Sequence, residues 1–289
     1  MKVILSRKGF DAAAGKCASP IFENGSFLSL PIPDDSSTLR YADICGSHPI
    51  GQVVEDLSPG VKVKASSGVH LDPDLRMDSR PRQAGWRPMF GQADAAQKHL
   101  CKMKIARNDI FLFFGWFRRV EQRDGRYHYQ RKAPDLHVMF GWLRVGEVWQ
   151  KVGETWQDSE HKILDIPDWA KEHPHLSSTF SPKFKENTIY VAADAPNGFA
   201  AGTLKYAVND LILTRADESR RSRWRLPSWF YRSGGKPPLS YHSNPDRWKP
   251  HGKEVHLQSV GRGQEFVLDI EDDPEATRWV DDLIAKNAA

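Results

Sequence analysis

Two aromatic tracts constrain what this chain can fold into. Phe113-Phe114-Gly115-Trp116-Phe117-Arg118 returns, nearly unchanged, as Met139-Phe140-Gly141-Trp142-Leu143-Arg144. Each closes a short apolar run bounded by polar or turn residues, the pattern of a buried strand. Between them, Val120 to Asp135 is polar and basic. Asp124-Gly125 supplies a hairpin signal there, because glycine accepts a positive φ at no steric cost. The tracts predict two paired strands with a protruding, mostly cationic tip.

The other elements are read around that pair. Lys2 to Ser6 predicts an opening strand, and Pro20 to Pro33 a hairpin on Asn24-Gly25. Residues 34 to 90, rich in Pro, Gly, Ser and Asp, predict loops with short elements. Ala96, Leu100 and Met103 recur at helical spacing and predict a helix over 93–103. Thr188 to Ala193, Leu204 to Thr214 and Gln264 to Ile270 predict strands. Asp273 and Pro274 suit the N-cap and first position of a closing helix with Trp279, Val280, Leu283 and Ile284 on its buried side. The fold class is α+β: a mixed, strand-rich core, a helix near 93–103 and a C-terminal helix. No clean linker or long repeat interrupts it, so a single domain over 1–289 is expected.

Composition narrows the partners. A net charge of +4 over 289 residues is no polyelectrolyte footprint, so any nucleic-acid contact has to come from local basic patches. Ten Trp and fourteen Phe predict cores rich in aromatic packing. Cys17, Cys45 and Cys101 show no CxxC spacing, which favours a reducing compartment. The apolar run after Met1 is too short for a signal peptide or a membrane span. A cytoplasmic protein without a membrane partner is expected.

Ser6-Arg7-Lys8-Gly9-Phe10-Asp11, Ser19-Pro20-Ile21 and Leu28-Ser29-Leu30-Pro31-Ile32-Pro33 together resemble the third family of nucleotide-modification-associated domains. The likeness continues through Gly91-Gln92, Ala95-Ala96-Gln97, His99-Leu100, Asp109 to Arg118, His137 to Glu147 and Gly261-Arg262-Gly263-Gln264-Glu265-Phe266, nearly the whole chain. It implies a phage or bacterial protein that acts on or binds a nucleobase or nucleotide in DNA modification. DNA or a nucleotide would be its partner, beside other DNA-modification proteins. The resemblance supplies no reaction and no cofactor. Within it, Asn108 to Phe114 and Gly141 to Glu147 are similar to the paired strands of the small barrels related to pseudouridine-synthase-associated (PUA-like) domains. That likeness implies an aromatic pocket for a flipped or modified base.

The residues offer several candidate constellations, each beside a plainer reading. Ser6, Arg7 and Lys8 follow a strand and precede Gly9, so they can hold a phosphate or form a solvated turn. Asp11 can serve as a general base or close a turn. Gln97, with Gln92 and His99 nearby, can read a base edge or sit in the core. Trp116 and Trp142 are candidate walls of a stacking cavity, with guanidiniums nearby. Arg262, between two glycines, is a candidate phosphate contact. Glu265 can act as acid or base, or can pair with Arg262. Trp224, Trp229, Phe230, Tyr231, Tyr241 and His242, interleaved with Arg220, Arg221, Arg223, Arg225 and Arg232, suit a nucleic-acid face or ordinary Arg–aromatic packing. His70, Asp72 and Asp74 alternate, and an extended segment would turn all three to one side, as for a metal or a capping loop. His173-Pro174-His175 has no third His or Cys near it in sequence, and no metal site is expected. The first reading is a protein that acts on or binds a base or nucleotide, with an enzyme of undefined reaction as one form of it. A non-catalytic reader of modified bases and a nucleotide enzyme without nucleic-acid binding stand as alternatives.

Overall fold

The computed structural model describes all residues except 59, 61–62, 232–237 and 272. Its strands are β1 (Lys2–Arg7), β2 (Ser19–Ile21), β3 (Met89–Ala93), β4 (Ile110–Arg123), β5 (Arg126–Tyr129), β6 (Leu136–Val152), β7 (Thr155–Gln157) and β8 (Ile163–Leu164). After these come β9 (Asn187–Ala192), β10 (Asp194–Ala195), β11 (Gly198–Phe199), β12 (Ala201–Thr203), β13 (Arg223–Pro227), β14 (Trp248–His251), β15 (Glu254–Gln258) and β16 (Glu265–Asp269). The α-helices are α1 (Ile50–Leu57), α2 (Asp94–Lys102), α3 (Asp168–Lys171) and α4 (Pro274–Asn287).

The two aromatic tracts lie side by side. β4 and β6 run antiparallel with Phe113 opposite Gly141 and Trp116 opposite His137. A register shift after Phe113 bends this pair, and a second one in β6 after Val145 carries that strand from β4 across to β9. An extra residue in one strand raises the local twist, which lets the sheet curl into half a barrel. β1 sits between β4, to which it is parallel, and β16, to which it is antiparallel. Phe111, Phe113, Phe114 and Phe117 are all fully buried, packed among Phe90, Tyr190, Phe140 and Phe266. Each such ring contributes roughly 1.5–3 kcal/mol by leaving water. The closing helix forms as its cap predicts, with Asp273 Oδ1 accepting from the N–H groups of Glu275 and Ala276 at 3.0 and 3.1 Å.

Local expectations are met in part. The cationic tip is itself a strand hairpin, exposed from Gln122 to Arg126. β4 continues to Arg123, Asp124 and Gly125 turn it at φ of 52° and 75°, and β5 folds back along it. The hairpin then docks on α1, with Tyr127 N–H donating to Asp56 at 2.9 Å and the Gln52 amide to the Gly125 carbonyl at 2.7 Å. α1 is one of the short elements expected within the loop-rich stretch 34–90, with Ile50, Val53, Val54 and Leu57 at helical spacing and buried. Asn24-Gly25 turns the chain as expected, and the returning segment pairs back antiparallel with Ile21 opposite Phe27 and Leu28 N–H donating to the Pro20 carbonyl at 3.2 Å, while β2 also pairs with β4. Residues 204–214 form no strand. The N–H groups of Leu204, Lys205 and Ala207 go to three different partners, the carbonyls of Phe140, Asn287 and Gly25, so no ladder can build.

The Arg–aromatic segment is core, not surface. Along β13 the burial alternates: Trp224 and Leu226 point inward and Arg223 and Arg225 outward, as a strand requires. Phe230 and His242 are fully buried and Trp229 nearly so, which leaves Tyr241 as the exposed ring. Arg232 lies outside the described residues.

Two histidines of this region predict acid sensitivity. Burial, helped by the Arg221 and Arg7 guanidiniums, pushes His137 down to about 3, and its Nδ1 accepts from the Trp224 indole at 2.9 Å. Burial likewise pushes His242 down to about 4, against its hydrogen bond to the Ser240 carbonyl. Both rings stay neutral in the fold and would charge near pH 6.5 once unfolded. Their contribution is complete above about pH 6.5 and falls away as the pH drops toward the folded values. Each costs up to about 1.4 kcal/mol per pH unit in that window. Urea unfolding at pH 7, 6 and 5 should show the decline, and a shallower decline in His137→Gln. Equal slopes for wild type and variant would contradict it.

Candidate functional site

A cleft of about 840 Å³ opens beside the C-terminal end of β1. Antiparallel pairing sets Ser6 opposite Glu265, so Lys8, two residues on, falls on the same face as the Glu265 side chain. Lys8 Nζ reaches Glu265 Oε1 at 2.9 Å and lies 4.5 Å over the Phe90 ring. Gln92, from β3, donates to the same oxygen at 2.5 Å. Glu265 is 1% exposed, and its Oε2 is buried with no hydrogen-bond partner among the described residues. An unpaired buried carboxylate oxygen is costly, and such atoms concentrate where chemistry needs them.

Arg7 lines the cleft too. Its Nη atoms donate to the carbonyls of Gly261 and Gly263 at 3.3 and 2.8 Å, while its Nε is buried without a hydrogen-bond partner among the described residues. Burial lowers the pKa of this guanidinium, and Asp11 and Glu265 oppose the change. Gly9 follows at φ +80°, where a Cβ would meet Ser29 Oγ at 2.7 Å and the Leu30 carbonyl at 3.0 Å. Only glycine lets the turn after β1 pass that close.

The far wall brings together residues that are distant in sequence. His70, Asp72 and His175 each offer a ligand atom, all within 4.8 Å of one another. Asp72 Oδ1 accepts from Gly91 N–H at 2.8 Å and faces His173 Nε2 at 3.2 Å, while Oδ2 faces His175 Nε2 at 3.7 Å. Burial alone would raise the Asp72 pKa, but His173, His175 and His70 outweigh it and hold it at about 2. Burial pushes His175 down to about 3, against the pull of Asp72. Asp74, expected on the same side, instead pairs with Arg82 in a buried bidentate contact at 2.5 and 2.7 Å.

The sequence profile described as nucleotide modification associated domain 3 matches residues 2–269. The chain belongs to that family. No curated protein and no solved structure matches it, so the likeness of β4 and β6 to pseudouridine-associated barrels rests on sequence alone. Among the described residues of this nucleotide modification associated domain, no helix is long and apolar enough to cross a membrane.

The cleft of the domain gathers Arg7, Lys8, Asp11 and Glu265 among the candidate residues. It does not gather Ser6, Gln97, Trp116, Trp142 or Arg262. Ser6 is buried in β1, its Oγ without a hydrogen-bond partner among the described residues. Gln97 sits on the buried face of α2, where its amide meets the Tyr190 hydroxyl and Cys101 Sγ, both at 3.2 Å. Arg262 is exposed on the loop whose flanking carbonyls hold Arg7, and Glu265 pairs with Lys8 instead of with it. Trp116 and Trp142 share no cavity. Trp116 stacks on Arg221 at 4.3 Å beside a separate hollow of about 410 Å³. Trp142 lies several rungs away, opposite Leu112 and Gly202. Asp11 Oδ1 is occupied by the N–H groups of Ala13 and Ala14 at 2.7 and 2.8 Å, the turn-closing role. The rings that do line the cleft include Phe180 and Tyr241.

Proposed function

We propose that this cleft is the active site of an enzyme acting on a nucleobase or nucleotide, with Glu265 as its acid–base group. The observation that carries the reading is the buried Oε2 of Glu265, without a hydrogen-bond partner among the described residues, in the wall of a cleft of about 840 Å³. That volume suits a ligand of nucleotide size. Lys8 and Gln92 hold the opposite oxygen, so Oε2 is oriented for proton transfer. The anionic end of the ligand falls to Arg7 and Lys183, beside the first turn of α2, whose N-cap Ala93 supplies no side-chain cap. Tyr241, about half exposed and held at φ +65°, together with Phe180, takes the stacking part first assigned to the two tryptophans. The substrate is a nucleotide on its way into DNA or a base already in it, which makes other DNA-modification proteins its working partners.

Glu265→Gln keeps the shape and removes the proton acceptor. Nucleoside mass analysis of DNA and of the nucleotide pool, from cells with wild type and variant, tests the reading. The wild type should yield a modified species, and the variant should slow its formation by about 100-fold or more. An undiminished product in Glu265→Gln cells would remove the assignment.

A further inference from the structure

We propose that His70, Asp72 and His175 bind one divalent first-row transition ion, with its open positions facing the cleft. The case rests on where the protons must be. Asn187 donates its Nδ2 to the His175 carbonyl at 2.8 Å, which turns its Oδ1 toward His175 Nδ1, also at 2.8 Å. An amide oxygen only accepts, so the proton of a neutral His175 sits on Nδ1 and its Nε2 carries a lone pair. That lone pair faces Asp72 Oδ2 at 3.7 Å. Two acceptors opposed in a buried wall repel unless a cation lies between them.

The neighbours complete the arrangement. His173 Nδ1 accepts from His175 N–H at 3.3 Å, so the Nε2 of a neutral His173 bears the proton that faces Asp72 Oδ1. Gly91 N–H occupies the same oxygen, and Oδ2 is left for the ion. His70 Nδ1 lies 3.4 Å from Asp34 Oδ2, and a carboxylate opposite Nδ1 leaves the lone pair of a neutral ring on Nε2. Both proposed imidazole ligands therefore have the outer partner that fixes their tautomer, as metal-ligating histidines do. Gly91 makes room for the set: a Cβ there would meet the His175 ring at 2.3 Å.

Two imidazole nitrogens and one carboxylate oxygen select against Mg²⁺ and Ca²⁺, which take oxygen ligands, and in favour of zinc, iron or manganese. Three protein ligands with open positions describe a catalytic rather than a structural site. Donors around a tetrahedral ion sit roughly 3.3 Å apart, so the three would close in by up to about 1.5 Å. A bound ion would polarise a ligand oxygen or acidify a water in the cleft.

Titration of the chelator-stripped full chain with Zn²⁺, Mn²⁺ and Mg²⁺ by calorimetry tests the site. One Zn²⁺ per chain is expected, bound at least about 100-fold more tightly than Mg²⁺. Asp72→Asn and His175→Gln should each weaken Zn²⁺ by about 100-fold or more, and Gly91→Ala by at least about tenfold through His175. His251→Gln, at an exposed ring stacked at 4.8 Å on His256, should leave binding unchanged. Zn²⁺ no tighter than Mg²⁺, or equal affinity in wild type and the ligand variants, would overturn the site. If those variants fail to fold, X-ray absorption of the zinc-loaded wild type decides: two imidazoles with oxygen support it, and sulfur ligands or fewer than two imidazoles refute it. The titration needs no nucleotide, so its failure would leave the role of Glu265 standing, and the reverse.

Discussion

Lys8→Met is expected to destabilise the protein by about 3–5 kcal/mol at neutral pH, because it strands a buried carboxylate. The Lys8 and Glu265 side chains are 9% and 1% exposed and meet at 2.9 Å. Methionine keeps most of the volume and the contact with Phe90, so the loss reports the charge rather than a cavity. Gln92 cannot substitute, since an amide hydrogen bond offsets little of a buried charge. The decisive comparison is the double variant Lys8→Met with Glu265→Met. If the pair is coupled as its geometry requires, removing the second charge restores stability toward wild type, although activity stays lost. Urea midpoints for the two single variants and the double complete the cycle. Additive losses would mean that the two side chains do not act as a pair.

Trp224→Ala is expected to cost about 3–5 kcal/mol, the range for emptying a large aromatic site. Trp224 is fully buried, edge-on to Phe114 at 5.1 Å and 6.0 Å from Phe266, and its indole N–H serves both His137 and the Arg221 carbonyl. Trp224→Phe refills much of the space but leaves His137 Nδ1 without that donor, so a loss of roughly 1–3 kcal/mol should persist. Thermal and urea unfolding check both. A stacking residue on a nucleic-acid face would behave differently: its removal would weaken single-strand binding and leave the melting temperature alone. That second outcome would return the segment to the surface.

What could be read along the chain was whatever a local period encodes. The alternation and turn signals around Phe113 and Phe140 found the central pair, the spacing of Leu100 found α2, and Asp273-Pro274 found the start of α4. The same rule reaches α1, since Ile50, Val53, Val54 and Leu57 carry a helical stripe inside a stretch rich in loop residues. Residues 204–214 misled because an apolar run records burial without saying which backbone partner satisfies it.

The site was legible only in pieces. Glu265, Arg7, Lys8 and Asp11 were candidates, and they do converge on one cleft. Trp116, Trp142 and Gln97 were chosen for chemistry that their side chains could do anywhere, and their strand or helix faces point them elsewhere. The alternation of His70 with Asp72 and the pair His173 and His175 were each visible, but neither segment contains the other's ligands. The amino-acid sequence determined an aromatic, strand-rich core and membership of its family. The tertiary structure alone decided that Asp72 meets His175 and that Lys8 meets Glu265, because side-chain period is local whereas proximity across a sheet depends on which distant strands pair and in what register.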